Sequence, residues 1–268
     1  IQTILFAAHF QQNQPFFKPF GGLFRKMLSF YSQIFVQDKS SKTLLESIGQ
    51  DRVQVAGDTR FDRMAKVLAS PKDFPEVVTF KQKKKLIVVG SSWAEDEFFL
   101  KKVFYSVSEQ DYKLLIVPHE VHEQNIQRII NLFGSDACLW SESVEVLKSK
   151  RVAIVSTIGQ LSFLYRYADI AWVGGGFGKG IHNILEPGVF SIPVFFGPKY
   201  QRFREAVEMC QIGGAVSITD EHQFEALLKN PLRLNEMGKA AGHYVTSHLG
   251  ATNKLMDYLA EKCFAKVS

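Results

Sequence analysis

Apolar runs of strand length alternate with helix-length segments through most of the chain. From Lys85 onward, six nearly continuous apolar runs are each followed by a segment of helical length; the runs are KLIVVG, KLLIVP, VAIVS, IAWVGG, IPVFFG and AVSI. Strands that are apolar on both faces occur in parallel sheets that helices cover on both sides. The pattern therefore predicts a parallel α/β domain over this part of the chain.

The first part of the chain shows a shorter version of the same alternation. TILFAAHF, IFVQD and RVQVAGD predict strands, and SSKTLLESIG predicts a capped helix. From Phe20 to Phe35, apolar residues recur at helical spacing, and they are Phe20, Leu23, Phe24, Met27, Tyr31, Ile34 and Phe35. We interpret this segment as a helix that faces the core. In an alternative interpretation, the aromatic residues from Phe16 to Phe20 and their basic neighbours contact a membrane interface.

The domain organisation follows from these patterns and from one change in composition. Residues 69–76 contain two prolines and have no hydrophobic period, which is typical of a linker. We predict that residues 1–68 are the closing part of one Rossmann-like domain and that residues 77–250 form a complete second one. Residues 251–268 form a last helix that could pack back on the N-terminal part. Because the chain opens at Ile1 in the middle of a strand pattern, we expect it to be a fragment.

Composition narrows the classes of function. A net charge of +5 in 268 residues suits an anionic ligand or an acidic membrane surface, but it is too small and too scattered to indicate a nucleic-acid partner. Cys138, Cys210 and Cys263 lie far apart, which favours a reducing compartment over a disulfide framework or a zinc site. No apolar run approaches the roughly 18 residues of a membrane-spanning helix. We expect neither a metal ion nor a cofactor.

The segment from Ile170 to Pro198 carries the strongest indication of function. It reads IAWVGGGFGKGIHNILEPGVFSIPVFFGP, which predicts a strand, a glycine loop, a helix start and a second strand. Glycines such as Gly175 and Gly176 let backbone approach a ligand closely, and amides at a helix start attract a phosphate. Glu186 in the first helical turn can accept hydrogen bonds from sugar hydroxyls. The alternative is an ordinary strand–turn–helix connection without a ligand.

Other loops predicted at the same edge of the sheet hold further candidates, because ligands bind at the carboxyl ends of parallel strands. These candidates are Ser91, Ser92, His119, Thr157 and Gly159, and Lys179, His182 and Asn183 in the glycine loop complete the set. The spacing of His119 and His122 is not that of a zinc protease. The glycine loop follows what we count as the fourth strand, which disfavours a dinucleotide-dependent dehydrogenase.

Four segments in order resemble bacterial 3-deoxy-D-manno-octulosonic acid (Kdo) transferases. VGGGFGKGIHNILEPGVFSIPVFFGP resembles their donor-binding signature, and VAGDTRFD, VGSSW and STIGQL resemble three further motifs, the last with Tyr165. One departure stands out: the arginine of the family's Pro-Arg-His-Pro is missing from Pro118-His119-Glu120-Val121. His119 or Arg60 could take its place, although neither offers the same fork of donors.

The resemblance implies a GT-B-like fold of two Rossmann-like domains, of which this chain holds the donor-binding one. It also implies transfer of Kdo from CMP-Kdo to a lipid A precursor, with inversion, at the cytoplasmic face of the bacterial inner membrane. The ribose would be held by Glu186, and the phosphate by the amides of Gly175, Gly176 and the His182–Asn183 turn. Ser91, Ser92 and Thr157 would line the pocket, and Lys179 or Arg60 would stabilise the departing phosphate.

The resemblance implies that the general base lies in the part of the N-terminal domain that precedes this fragment. We therefore expect the fragment alone to be inactive, and we also expect it to be soluble. Two alternatives stay open. Another GT-B glycosyltransferase or a sugar-nucleotide epimerase would share the fold and the ribose carboxylate. Outside enzymes, the chain could be a nucleotide-binding or partner-binding module without catalytic activity.

Overall fold

The computed structural model describes residues 2–107 and 112–264. Ile1, the side chain of Cys263 and the predicted helix end at 265–268 lie outside the described residues. The chain forms two compact units, Ile1–Lys66 with Thr246–Ser268, and Val67–Val245. The sequence placed these divisions at residues 68 and 250. The predicted linker at 69–76 lies within the second unit, and a helix already begins at Pro75.

The secondary structure alternates between strands and helices in both units. The strands are β1 Ile4–Ala8, β2 Gln33–Val36, β3 Val53–Val55, β4 Lys85–Ser92, β5 Tyr112–Pro118, β6 Ala137–Leu139, β7 Val152–Ile154, β8 Ile170–Val173, β9 Val194–Phe196 and β10 Ala215–Ser217. The helices are α1 Gly22–Leu28, α2 Lys39–Glu46, α3 Thr59–Ala69, α4 Pro75–Lys81, α5 Ala94–Ser106, α6 Glu123–Phe133, α7 Val144–Ser149, α8 Leu161–Leu164, α9 Leu185–Gly188, α10 Arg204–Gln211, α11 Glu221–Leu228, α12 Pro231–Ser247 and α13 Ala251–Leu259. Within the described ranges, no helix combines the length and apolarity needed to cross a membrane.

The first unit is built on a three-stranded parallel sheet in the order β1-β2-β3. Asp38 caps α2 by accepting a hydrogen bond from the Ser41 amide at 2.7 Å, as expected for a helix start. Helix α13 belongs to this unit, and the Tyr258 ring lies 5.2 Å from that of Phe35 in β2. Thus the C-terminal helix packs on the N-terminal sheet.

Asp62 holds the start of α13. Its carboxylate accepts hydrogen bonds from the Gly250 and Thr252 amides at 2.6 Å each. Burial acts to raise the pKa of Asp62, but these hydrogen bonds outweigh it and the pKa lies below its ordinary value. The last residue of the VAGDTRFD motif is therefore a helix cap in this structure.

The helix predicted from Phe20 to Phe35 is shorter than the sequence indicated. Helix α1 ends at Leu28, and Ile34 and Phe35 belong to strand β2. The prediction that Phe20, Leu23 and Met27 face the core is wrong, because these three side chains are exposed. A helix and the strand that follows it happened to continue one apolar spacing, and periodicity alone does not separate them.

The second unit confirms the predicted parallel α/β fold. Among the residues of this unit that the structure describes, seven parallel strands form one sheet in the order β10-β9-β8-β4-β5-β7-β6. Strand β6 was not predicted, because three residues are too few for a periodic signal. Strand β8 is therefore the fifth strand of this unit and not the fourth.

The strand order creates a switch point between β4 and β8. The chain leaves β4 towards β6 on one side, then returns to β8 and continues to β10 on the other side. Ligands of open parallel sheets bind at such a point, outside the carboxyl ends of the strands. Gly90 pairs with Val173 there, so the loops after both strands leave side by side.

Gly90 is required by the packing at this switch point. A Cβ atom on Gly90 would lie 1.9 Å from the hydroxyl oxygen of Tyr165 and 2.9 Å from a methyl carbon of Leu161. Tyr165 is fully buried, so its ring has little room to move aside. The tyrosine thereby reaches the carboxyl edge of the sheet through the space that a side chain at position 90 would occupy.

We expect Gly90→Ala to lower the free energy of unfolding by about 3 kcal/mol, the upper end for overpacking a filled interior. Gly178→Ala is the matched control, since its Cβ would make only an ordinary contact of 3.7 Å. Urea denaturation of both variants measures the difference. Equal stability of the two variants would show that the packing around Tyr165 is looser than described.

Candidate functional site

A cavity of about 160 Å³ lies at the carboxyl ends of β4 and β8. It is lined by Gly90, Ser91, Leu161, Tyr165, Val173, His182, Asn183 and Glu186. Four of the predicted site residues meet here, namely Ser91, His182, Asn183 and Glu186. Ligand pockets usually measure about 300–1,000 Å³, so the cavity can enclose only part of a nucleotide sugar.

The Glu186 carboxylate is held in place from two sides. The Ser162 hydroxyl donates to its Oε2 at 2.9 Å, and the Asn183 side-chain amide donates to its Oε1 at 3.2 Å. Asn183 is itself fixed, because its Oδ1 accepts from the Leu185 amide at 3.1 Å. A carboxylate has about four acceptor positions, so Glu186 retains capacity for ligand hydroxyls.

The helix that carries Glu186 is only one turn long. The sequence predicted a helix start around His182–Glu186, whereas α9 spans four residues from Leu185. The macrodipole sums over aligned peptide units, so a single turn attracts an anion less than a long helix would. Side chains near Glu186 therefore contribute more to ligand binding than the dipole of the predicted helix does.

Tyr165 forms part of the cavity wall as a neutral phenol. Burial, and then the nearby Glu186 carboxylate, raise the pKa of Tyr165 well above its ordinary value. The hydroxyl thus keeps its proton throughout the physiological range and can donate a hydrogen bond. In the sequence, Tyr165 is recognisable only as part of a motif, and the motif alone assigns it no role.

A buried carboxylate organises the loops behind the cavity. Asp96, in the first turn of α5, accepts the Trp93 amide at 3.0 Å and the Gly175 amide at 2.8 Å on Oδ2. Its Oδ1 accepts the indole N–H of Trp172 at 3.1 Å. Burial raises the pKa of Asp96, although these hydrogen bonds oppose the rise. Asp96 thus joins the loop after β4 to the loop after β8.

The roles predicted for Gly175 and Gly176 need correction. The Gly175 amide donates to Asp96 and is not free to meet a phosphate. Gly176 is buried, and a Cβ on it would lie 2.5 Å from the Gly197 amide nitrogen. The amide of His182 is likewise used, donating to the Gly174 carbonyl at 3.1 Å. We predicted that these glycines let the backbone approach a ligand closely. In the structure, they let one loop of the protein approach another.

Ser92 was predicted to line the pocket, but in the structure its side chain makes an internal contact. Its side chain is buried, and its hydroxyl donates to Glu97 Oε1 at 2.8 Å. Glu97 pairs in turn with Arg128. Ser91 differs, because it lines the cavity and takes a left-handed backbone conformation with φ of 51°. Such strain in a non-glycine residue is most often retained at functional sites.

Three rings stack beside the cavity. His119 lies 4.6 Å from Trp93 and 4.5 Å from His182, with both ring pairs nearly parallel. The indole N–H of Trp93 donates to His182 Nε2 at 3.0 Å. Because an indole only donates, Nε2 of His182 is the acceptor, and neutral His182 carries its proton on Nδ1. Burial, and then the neighbouring His119, lower the pKa of His182, which favours this neutral form.

The remaining predicted residues do not line the cavity. Thr157 and Gly159 are exposed in the loop after β7, and Lys179 is exposed in the glycine loop, where its carbonyl accepts from Arg202. Arg60 belongs to the first unit, where its guanidinium pairs with Asp58 at 2.8 Å. Among residues 2–107 and 112–264, no cluster of His, Cys, Asp or Glu is arranged to hold a metal ion.

Comparison with known proteins confirms the resemblance to Kdo transferases, although no family model matches the chain. The chain is 26% identical to a 3-deoxy-D-manno-octulosonic acid transferase of Rickettsia prowazekii, over 65% of its own length and 38% of the relative's. It is 28% identical to a transferase of that name from Chlamydia muridarum, over 72% and 46%. The chain therefore spans less than half the length of these relatives.

Solved structures with the same fold include nucleotide-binding proteins. The C-terminal CMP-Kdo binding domain of WaaA from Acinetobacter baumannii is 19% identical, with a TM-score of 0.51 over 73% of this chain and 97% of that domain. The S. aureus MnaA–UDP co-structure is 15% identical, with a TM-score of 0.60 over 97% of this chain and 67% of that one. At these identities, the likeness establishes the fold alone.

We expect Asp96→Asn to lower the free energy of unfolding by about 3 kcal/mol, because the new amide N–H₂ would face buried donors. Glu95→Gln is the matched control, since Glu95 is the exposed neighbour in the same helical turn. Urea denaturation followed by tryptophan fluorescence measures both variants. If Asp96→Asn were as stable as Glu95→Gln, Asp96 would not be the organising group.

Acidification should destabilise the second unit through His182. Its folded-state pKa lies below its unfolded value, so its contribution is complete above about pH 6.5 and is lost as the pH falls towards the folded pKa. His182→Gln, whose side-chain oxygen can still accept from Trp93, should show a smaller drop in Tm between about pH 8 and about pH 5.5. His222→Gln, at an exposed histidine, is the control and should behave as the wild type. An unchanged drop in His182→Gln would contradict the assignment.

Proposed function

We propose that this chain is the donor-binding part of a glycosyltransferase that transfers Kdo from CMP-Kdo to a lipid A precursor, with inversion. The observation that carries the proposal is the cavity at the switch point, where Glu186, Asn183 and His182 lie beside Ser91. Two findings support it: the sequence relatives are named Kdo transferases, and one protein of the same fold is named a CMP-Kdo binding domain.

In this proposal the cavity receives the ribose and phosphate of the donor. Glu186 accepts hydrogen bonds from the ribose hydroxyls with the oxygen positions that Ser162 and Asn183 leave open. The Ser91 hydroxyl and the Nδ1–H of His182 are the donors proposed for the phosphate. They replace the Gly175 amide, which donates to Asp96.

Cleavage of the donor's glycosidic bond would place negative charge on the departing CMP phosphate. Donors that are already fixed stabilise such charge without reorganisation, and removal of one typically costs about 3 kcal/mol of transition-state stabilisation. His182 would be such a fixed donor, because it stacks on His119 and accepts the indole N–H of Trp93. We assign the base that deprotonates the acceptor hydroxyl to the part of the relatives' length that this chain does not span. We place the reaction at the cytoplasmic face of the inner membrane.

A sugar-nucleotide epimerase is the second candidate, and one observation favours it. A protein from Listeria monocytogenes whose name includes UDP-N-acetylglucosamine 2-epimerase matches 100% of this chain with a TM-score of 0.63. Another protein named UDP-N-acetylglucosamine 2-epimerase matches 96% with a TM-score of 0.60. Both cover more of the chain than the CMP-Kdo binding domain does. The two candidates can be distinguished by the nucleotide, because the first binds a cytidine nucleotide and the second a uridine nucleotide.

Calorimetry with CMP, UDP and GDP tests the proposal. We expect CMP to bind most tightly, and Glu186→Gln to weaken CMP binding about 10- to 100-fold, the range for losing hydrogen bonds to a charged group. Glu236→Gln, at an exposed carboxylate on α12, is the control and should bind as the wild type. We expect the chain alone to show no Kdo transfer.

Two outcomes would contradict the proposal. A preference for UDP would favour the epimerase. CMP binding that Glu186→Gln leaves unchanged would remove the proposed ribose contact and with it the donor site.

A further inference from the structure

The wall of the cavity contains a hydroxyl that none of the ligand contacts proposed above uses. It belongs to Tyr165, the residue that directly follows α8. The Tyr165 side chain is 1% exposed, and its ring belongs to the same core cluster as Val88 and Leu164. Its hydroxyl reaches the carboxyl edge of the sheet through the space that a side chain at Gly90 would fill. The ring is therefore part of the core, while the hydroxyl is part of the candidate site.

This hydroxyl has no hydrogen-bond partner among residues 2–107 and 112–264. The neighbouring Glu186 carboxylate accepts from Ser162 and Asn183 instead. A buried hydroxyl without a partner destabilises a fold, and phenylalanine would fill the same space without that cost. Packing alone therefore favours phenylalanine at this position, and the tyrosine indicates a contact with a ligand.

The charge beside the hydroxyl indicates which ligand group it can meet. Burial, and then the Glu186 carboxylate, raise the pKa of Tyr165, so the phenol keeps its proton and can donate it in a hydrogen bond. The same carboxylate would repel an anionic phosphate at this point. A sugar hydroxyl is uncharged, and it can donate to one group while it accepts from another. A carboxylate beside a phenol thus suits a hydroxyl of the ligand better than its phosphate.

We propose that Tyr165 donates a hydrogen bond to a ribose hydroxyl of the bound nucleotide, and that this hydroxyl donates to Glu186. The pair would select ribonucleotides over deoxyribonucleotides, because the missing hydroxyl leaves both the phenol and the carboxylate without this contact. The inference rests on the ribose contact of Glu186 in the proposed function. It does not depend on the base, because CMP and UDP carry the same ribose.

Calorimetry with CMP, 2′-deoxy-CMP and 3′-deoxy-CMP tests the inference. We expect the wild type to bind at least one of the two deoxynucleotides roughly 30-fold or more weakly than CMP. Tyr165→Phe should weaken CMP binding about 3- to 10-fold, the range for one neutral hydrogen bond. It should leave the binding of that deoxynucleotide unchanged, because the hydroxyl that Tyr165 contacts is already absent from it. If UDP binds in place of CMP, the same comparison applies to UDP and its two deoxy forms.

Tyr167→Phe is the matched control. Tyr167 lies two residues further along the same segment, outside the residues that line the cavity, and its hydroxyl accepts the Phe74 amide at 2.8 Å. This variant should keep the wild-type affinity for all three nucleotides. Urea denaturation separates binding from folding. Tyr165→Phe should be at least as stable as the wild type, because it removes a buried hydroxyl that has no protein partner.

Two outcomes would overturn the inference and leave the proposed function in place. In the first, Glu186→Gln weakens CMP binding but Tyr165→Phe does not. In the second, Tyr165→Phe weakens the binding of CMP and of both deoxynucleotides equally, which would place the phenol against another part of the ligand. If neither CMP nor UDP bound, the proposed function would fail, and the ribose contact of Tyr165 with it.

Discussion

The carboxyl edge of the second unit depends on one buried carboxylate. Asp96 accepts the Trp93 amide next to α5, the Gly175 amide of the glycine loop and the indole N–H of Trp172 in β8. A buried charge without partners costs several kcal/mol, and three donors offset that cost. The same contacts fix the relative positions of the loops after β4 and β8. Since these loops form the walls of the cavity, its shape follows from this interaction.

Using the loop amides for this purpose changes the chemistry that the cavity can offer. A glycine loop usually presents its amides to a phosphate, but here one of them is committed to Asp96 and Gly176 is packed against Gly197. The polar side chains that line the cavity belong to Ser91, Tyr165, His182, Asn183 and Glu186, and Glu186 is the carboxylate among them. Tyr165 and His182 are held in neutral forms by burial and by their neighbours. Hydrogen-bond direction, more than net charge, therefore distinguishes one ligand from another at this position.

The sequence predicted the parts of this architecture that repeat. The apolar runs predicted the long strands and the parallel sheet. Because the carboxyl ends of parallel strands lie at one edge, they also predicted that Ser91, His182, Asn183 and Glu186 meet. It did not predict β6, because three residues carry no period, nor the commitment of Ser92 and Gly175 to internal partners. The contact between Asp96 and Gly175 joins residues that are far apart in the chain. Ser92 and Glu97 are only five residues apart, but their contact depends on how β4 turns into α5. Asp96 lies in the first turn of α5, where an acidic residue is favourable for any helix, and this local role is compatible with the long-range one.

The exposed face of α1 shows a different limit of sequence patterns. An apolar spacing of 3.6 residues indicates that a helix has an apolar side, but it does not indicate what covers that side. In α1, Leu28 and Phe24 turn towards the core, while Leu23 and Met27 point away from it. Apolar side chains left in water forgo the main gain of folding, and a patch that persists usually marks an interaction site. The contact of Phe24 with Phe16 decides which side of α1 faces the core, and this contact depends on the path of the chain before the helix and not on the spacing within it.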